Sequence, residues 1–224
     1  VTVNNGTLQN VFGGGKGDNS IVPYVAGDVT VTVNGGNIKN LFGGNDASGE
    51  PNGSVLVTLN GGTITNAYGG GNNTLVTTTN IVQNNATVTN LYGGSNISGN
   101  VTTSNVIVTG GTTTTLYGGN NRGGTTATSN IDITGGNIMT AYGGGALTDT
   151  TASDITVVDG MIGILYGGGQ EASILNNSSI VVNGGTIDTI FGGSNIKGDV
   201  MESQIQINDG TLGEVYGGNN QGGN

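Results

Sequence analysis

Apolar and polar residues alternate along much of the chain. Runs such as Val31-Thr32-Val33, Val55-Leu56-Val57-Thr58-Leu59, Val106-Ile107-Val108, Ile131-Asp132-Ile133 and Ile205-Gln206-Ile207 place aliphatic residues at every second position. This period predicts short strands with one buried face. Each run ends in a corner such as Asn34-Gly35-Gly36 or Asn183-Gly184-Gly185, and a second short strand follows, with Ile38, Ile64, Val88, Ile138, Ile162, Ile187 or Leu212 directed inward. An aliphatic and aromatic pair and a second glycine pair close the unit. A third segment starts near Val76, Val101, Thr126, Thr150, Leu175 and Val200 and runs into Ser104, Ser129, Ser153, Ser178 and Ser203. No helical period interrupts this pattern.

The aromatic residues measure the repeat. Phe12, Phe42, Tyr68, Tyr92, Tyr117, Tyr142, Tyr166, Phe191 and Tyr216 are separated by 30, 26, 24, 25, 25, 24, 25 and 25 residues, and a fixed period in this range marks a stacked repeat architecture. The expected fold is all-β: one parallel β-solenoid (β-helix) over residues 1–224, of nine coils of about 25 residues with three short strands each. The right-handed form is expected, as the commoner hand among such folds. The first spacing is long because of an irregular connection at 16–28, which holds Tyr24, the one aromatic outside the series, and Pro23. Gly61, Gly62, Gly69, Gly70, Gly184 and Gly185 are expected at corners, where the backbone takes angles closed to other residues. Position-matched side chains should form ladders between coils. The serines form one, and Asn4, Asn34, Asn60, Asn84, Asn183 and Asn208 another.

Composition supports an ordered β protein. Only 8% of residues are charged although 47 are glycine, and abundant Val, Ile, Leu and Thr argue against a disordered chain. Fourteen acidic residues stand against Lys16, Lys39, Arg122 and Lys197, for a net charge of -10. Without a basic cluster the chain is not expected to bind nucleic acid or an anionic membrane, and no apolar run is long enough to predict membrane insertion. The absence of cysteine is compatible with either redox compartment. The sequence starts inside a repeat at Val1 and stops in a glycine loop at Asn224, as expected of an uncapped fragment of a longer array.

The repeated unit, at Val57 through Asn72 and again at Val182 through Asn195, resembles the glycine-rich β-helix repeats of large bacterial adhesin-like surface proteins, including those of anaerobic Gram-positive bacteria and, more loosely, autotransporter passenger domains. The resemblance implies an extracellular or cell-surface location and a structural or adhesive role. It implies no shared ligand site. Expected partners are host or matrix glycans or proteins, together with axial or lateral self-association; a filament subunit would be written much like this chain.

Several constellations bear on chemistry. Asp46 with Glu50, Asp149 with Asp154, and Asp199 with Glu202 are paired carboxylates, yet the chain has no His or Cys and its bases are scattered. Acid-base catalysis needs a positioned partner for the carboxylate, so no catalytic residue is assigned and an enzyme is not expected. No cofactor is expected either. Calcium is the alternative, with Gly14-Gly15-Lys16-Gly17-Asp18-Asn19 near the start of a calcium repeat and Asp159 and Asp209 at corners; Asx turns explain the same residues. Thr63 with Thr65, Thr87 with Thr89, and Thr112 with Thr114 form a regular array in three coils, the pattern of an ice-binding face, which later coils break with Met139, Met161, Gly163, Asp188 and Gly213. Finally, Phe42, Tyr68, Tyr92, Tyr117, Tyr142, Tyr166, Phe191 and Tyr216 are either the packing of one corner or, facing outward, a binding stripe for sugars or a neighbouring rod.

Overall fold

The computed structural model describes residues 1–18, 20–51 and 53–223; Asn19, Asn52 and Asn224 lie outside the described residues. Sixteen strands pair in parallel in one continuous sheet that winds into a β-solenoid. Matching positions of successive coils fall opposite each other: Thr63 pairs with Thr87 and then Thr112, and Tyr68 with Tyr92 and then Tyr117. No helix interrupts the described residues.

Two expectations change in detail. Nine rungs carry an aromatic residue, but the first two connections have only the isolated bridge Val25 to Pro51 on the third side, so the solenoid contains about seven turns of about 25 residues rather than nine. The three strands of a coil are also less separate than their pattern implied. Val76–Gln83 and Val101–Val108 each carry two sides across a corner, while Thr126–Tyr142 and Thr150–Tyr166 run through all three. The corner at Thr78 and Thr79 shows why. It lacks glycine, and its ladder pairs Thr78 with Thr103, Thr79 with Ser104 and Asn80 with Asn105 without a break.

Inside, each aliphatic position is a column. Val31, Val57, Ile81, Val106, Ile131, Ile155 and Ile180 follow one another in register, all essentially excluded from solvent. Leu41, Ala67, Leu91, Leu116, Ala141, Leu165 and Ile190 form a second column on the adjoining side. A coil therefore packs against two neighbours, and β-branched side chains with restricted rotamers suit such repetition.

The glycine corners are required by the closeness of the next coil. A Cβ on Gly69 would lie 2.3 Å from the Gly93 carbonyl oxygen, and one on Gly184 2.3 Å from that of Val158. Gly61 and Gly70 are equally crowded, by Asn34 O and Ser95 Oγ, while Gly62 and Gly185 have φ of +88° and +83°. The inner serines exploit the same absence of side chains. A Cβ on Gly93, Gly118, Gly167 or Gly192 would meet the hydroxyl of Ser104, Ser129, Ser178 or Ser203 within 1.9–2.1 Å. The serine ladder thus fills room that the glycine ladder leaves. Thr79, Ser104 and Ser153 donate to the carbonyls of Gly93, Gly118 and Gly167 at 2.6, 2.6 and 2.7 Å; the hydroxyls of Ser129, Ser178 and Ser203 are buried without a hydrogen bond.

Amide ladders tie the outside. In one, Asn34 donates to Asn4, Asn60 to Asn34 and Asn84 to Asn60 at 2.8–2.9 Å, and Asn208 donates to Asn183. Another joins Asn90 to Asn66, Asn40 and Asn10, and a third joins Asn121 to Asn96, Asn72 and Asp46. Every Nδ2 donates to the preceding coil, so these chains share one polarity and their dipoles add.

Gly69→Ala is expected to destabilise the fold by about 1–3 kcal/mol, because its obstacle is backbone. Gly27→Ala, whose Cβ would have nothing within 4 Å, should change stability by less than about 0.5 kcal/mol. Urea unfolding of both variants, followed by far-ultraviolet circular dichroism, checks the contrast.

Candidate functional site

The aromatic column is a continuous stack. From Phe12 to Tyr216, successive ring centroids lie 4.7–5.1 Å apart with interplanar angles of 4–11°. Each ring follows a residue of the inner column, as Tyr117 follows Leu116, and therefore leaves the strand on the side away from the aliphatic core. Yet the rings of Phe42, Tyr68, Tyr92, Tyr117, Tyr142 and Tyr166 are only 3–7% exposed and form a cluster of their own with Ala146.

The chain after each glycine pair closes over them. Asn121 donates to the Tyr68 hydroxyl at 3.3 Å, Asn195 to that of Tyr142 at 2.9 Å and Asn220 to that of Tyr166 at 3.3 Å, while the Tyr117 hydroxyl donates to Gln170. Each partner sits two coils further on. The outward binding stripe is therefore corrected: these rings pack a second, minor core, Phe191 is half-buried, and Tyr216 alone of the series is broadly exposed, at 46%, its hydroxyl donating to Glu214 at 3.0 Å.

Burial raises the phenol pKa along the stack. The effect is largest for Tyr92 and Tyr117, where neighbouring tyrosines add to desolvation; for Tyr68, Tyr142 and Tyr166 the amide donors partly offset it. Tyr216 is raised chiefly by its hydrogen bond to Glu214.

The threonine array does reach the surface. Thr63, Thr65, Thr87, Thr89, Thr112 and Thr114 are exposed on one side of three consecutive coils, bounded by Lys39 and Met139 at the same position. One carboxylate in each of two predicted pairs has a partner in a neighbouring coil. Asp46 accepts from Asn72 and Asp149 from the Ser173 amide, at 2.9 Å each. Asp159 and Asp209 accept from the amides of the next residues, Gly160 and Gly210, at 2.7 and 2.8 Å, so both carboxylates are used within their own corners. Among the described residues no group of three or more His, Cys, Asp or Glu is placed to hold a metal ion. Glu171 pairs with Lys197 at 3.1 Å at the surface.

A place absent from the sequence-based candidates is a groove of about 360 Å³ where the irregular connection meets the next two coils, lined by Val22, Tyr24, Glu50, Asn73 and Leu75 among others. Two signals in the sequence pointed there: Tyr24 is the one aromatic outside the series, and the connection that carries it makes the longest spacing. No family model matches the chain, and neither a curated protein nor a solved structure matches it.

Alkaline titration tests the buried stack. Because the folded phenol pKa values lie above the unfolded value of about 10, the stabilisation they carry is complete below that pH and is lost as pH rises through the folded values. Phenolate absorbance of Tyr68, Tyr92, Tyr117, Tyr142 and Tyr166 should appear late and together with loss of the circular dichroism signal. Ionisation of these five well before unfolding would contradict the buried stack.

Proposed function

We propose that this chain is an extracellular structural and adhesive segment of a bacterial surface protein: a stiff rod that extends or presents a binding surface and performs no catalysis. One observation carries the reading. Aliphatic, aromatic and amide columns run in register along the same axis, so bending the rod opens several kinds of contact at once. The aromatic stack alone spans about 39 Å in eight steps of 4.7–5.1 Å. Stiffness with a nearly constant cross-section suits a spacer, and the acidic surface, at a net charge of -10, disfavours adsorption to anionic membranes. The resemblance of the repeat to adhesin-like β-helices supports the location and the role. The partners are host or matrix glycans or proteins.

Small-angle scattering should report a rod, with a cross-section unchanged by ionic strength. Beads coated with the chain should be retained on surfaces carrying matrix glycans or proteins. A compact scattering profile removes the spacer, and beads washed from every such surface remove adhesion.

A further inference from the structure

The irregular connection is not a slack loop. The Asp18 carboxylate accepts the amides of Ser20 and Ile21, both at 2.7 Å, and Ser48 Oγ donates to the Ile21 carbonyl at 2.9 Å. Asn45 Nδ2 reaches the Pro23 carbonyl at 3.3 Å, and Val25 bridges to Pro51. Pro23 itself is wedged against Gly15, Gly17 and Gly49: a Cβ on any of them would meet Pro23 within 2.0–2.7 Å. These contacts hold the segment to the flank of the solenoid. It adds no rung to the aromatic stack.

What the segment presents is apolar. Ile21, Val22 and Tyr24 are 65%, 69% and 64% exposed, and Leu75, two coils on, continues the surface. Tyr24 borders the groove, and Glu50 and the exposed Asn73 line it as well. An aromatic face beside a carboxylate and an amide offers two complementary kinds of contact. The ring takes the C–H face of a pyranose, while Glu50 accepts and Asn73 both donates and accepts from the hydroxyls. The one charged side chain that lines the groove is a carboxylate, so charge complementarity excludes anionic sugars and favours uncharged ones. A groove of about 360 Å³ lies in the range of small-ligand sites.

We propose that the groove between the connection at Val22–Tyr24 and the next two coils is a binding site for neutral hexose residues of a glycan, with Tyr24 as the stacking platform and Glu50 and Asn73 as hydroxyl partners. The proposal rests on the adhesive reading and names the ligand class of one site on the rod. Tyr24 lies outside the stacked column, so its substitution leaves the stacked rings in place.

The test uses the whole chain and a panel of neutral gluco-, manno- and galacto-oligosaccharides, with sialylated and sulfated oligosaccharides as the anionic set. Saturation-transfer and ring-proton shifts should identify Tyr24 as the contacted tyrosine. Tyr24→Ala should weaken binding of the neutral oligomer about tenfold or more, while Tyr24→Trp keeps it. Circular dichroism should show the β-solenoid signal in both variants, so that affinities are compared between folded chains. Silence of the Tyr24 signals at about 10 mM of every neutral oligomer, equal binding of the anionic set, or unchanged affinity in Tyr24→Ala each overturns the site. Neutral-oligomer binding unchanged by Tyr24→Ala, with bead retention intact, overturns the site and leaves adhesion standing, whereas loss of retention by the unaltered chain on every surface removes adhesion itself.

Discussion

Parallel strands in register hold neighbouring coils about 4.8 Å apart, and the other features of the molecule adapt to that distance. Where two backbones turn together, nothing larger than hydrogen fits between them, which is why Gly69 faces the carbonyl of Gly93 and Gly184 that of Val158. Where the distance suits a flat ring, an aromatic residue recurs and stacks at nearly the same interval. Where it suits an amide, Asn recurs and each Nδ2 finds the Oδ1 of the preceding coil. The repeat in the sequence is the consequence of one spacing applied to different side chains.

A shared spacing also gives the rod a direction. The amide ladders donate toward the first coil, while the tyrosine hydroxyls meet partners two coils toward the last. Tyr68, Tyr117, Tyr142 and Tyr166 find Asn121, Gln170, Asn195 and Asn220 at that offset. Tyr92 meets Ala146 in the corresponding place, and that alanine packs against the rings instead. Contacts that skip a coil couple each rung to more than its immediate neighbours, and so add cooperativity to a fold whose elements otherwise touch only the next repeat.

How much of this was legible depends on which dimension a signal measures. Alternation at Val31-Thr32-Val33 reports the two sides of one strand, and the buried columns follow from it directly. The period between aromatics reports the coil, and the stack follows from that. The direction of Tyr68 was not legible, because the ring points away from the main core and is nevertheless buried. Its cover includes the segment after Gly118 and Gly119, where Asn121 two coils later reaches its hydroxyl, and neither periodicity describes a loop folding back. The groove beside Tyr24 was legible only as a place, for a related reason: a break in the period locates an insertion and says nothing about the contacts that hold it. Only the positions of Asn45, Ser48 and Gly49 show the segment to be fastened.

The same constraint determines where recognition can reside. Inward positions and corners are committed to neighbouring coils, so a change there disturbs the array before it alters any surface. The outward column beside the Asn10–Asn90 ladder varies instead, from Thr65, Thr89 and Thr114 to Met139 and Gly163. A ligand read by that column would meet different chemistry at successive coils. The 17–28 connection differs in kind, because it occurs once and leaves the stack unbroken on both sides, with Phe12 and Phe42 still 4.7 Å apart. A repeat array can acquire a local, non-repeating site at such a place without loss of register, which makes the flank beside Tyr24 the part of this rod where specificity is least constrained by the fold.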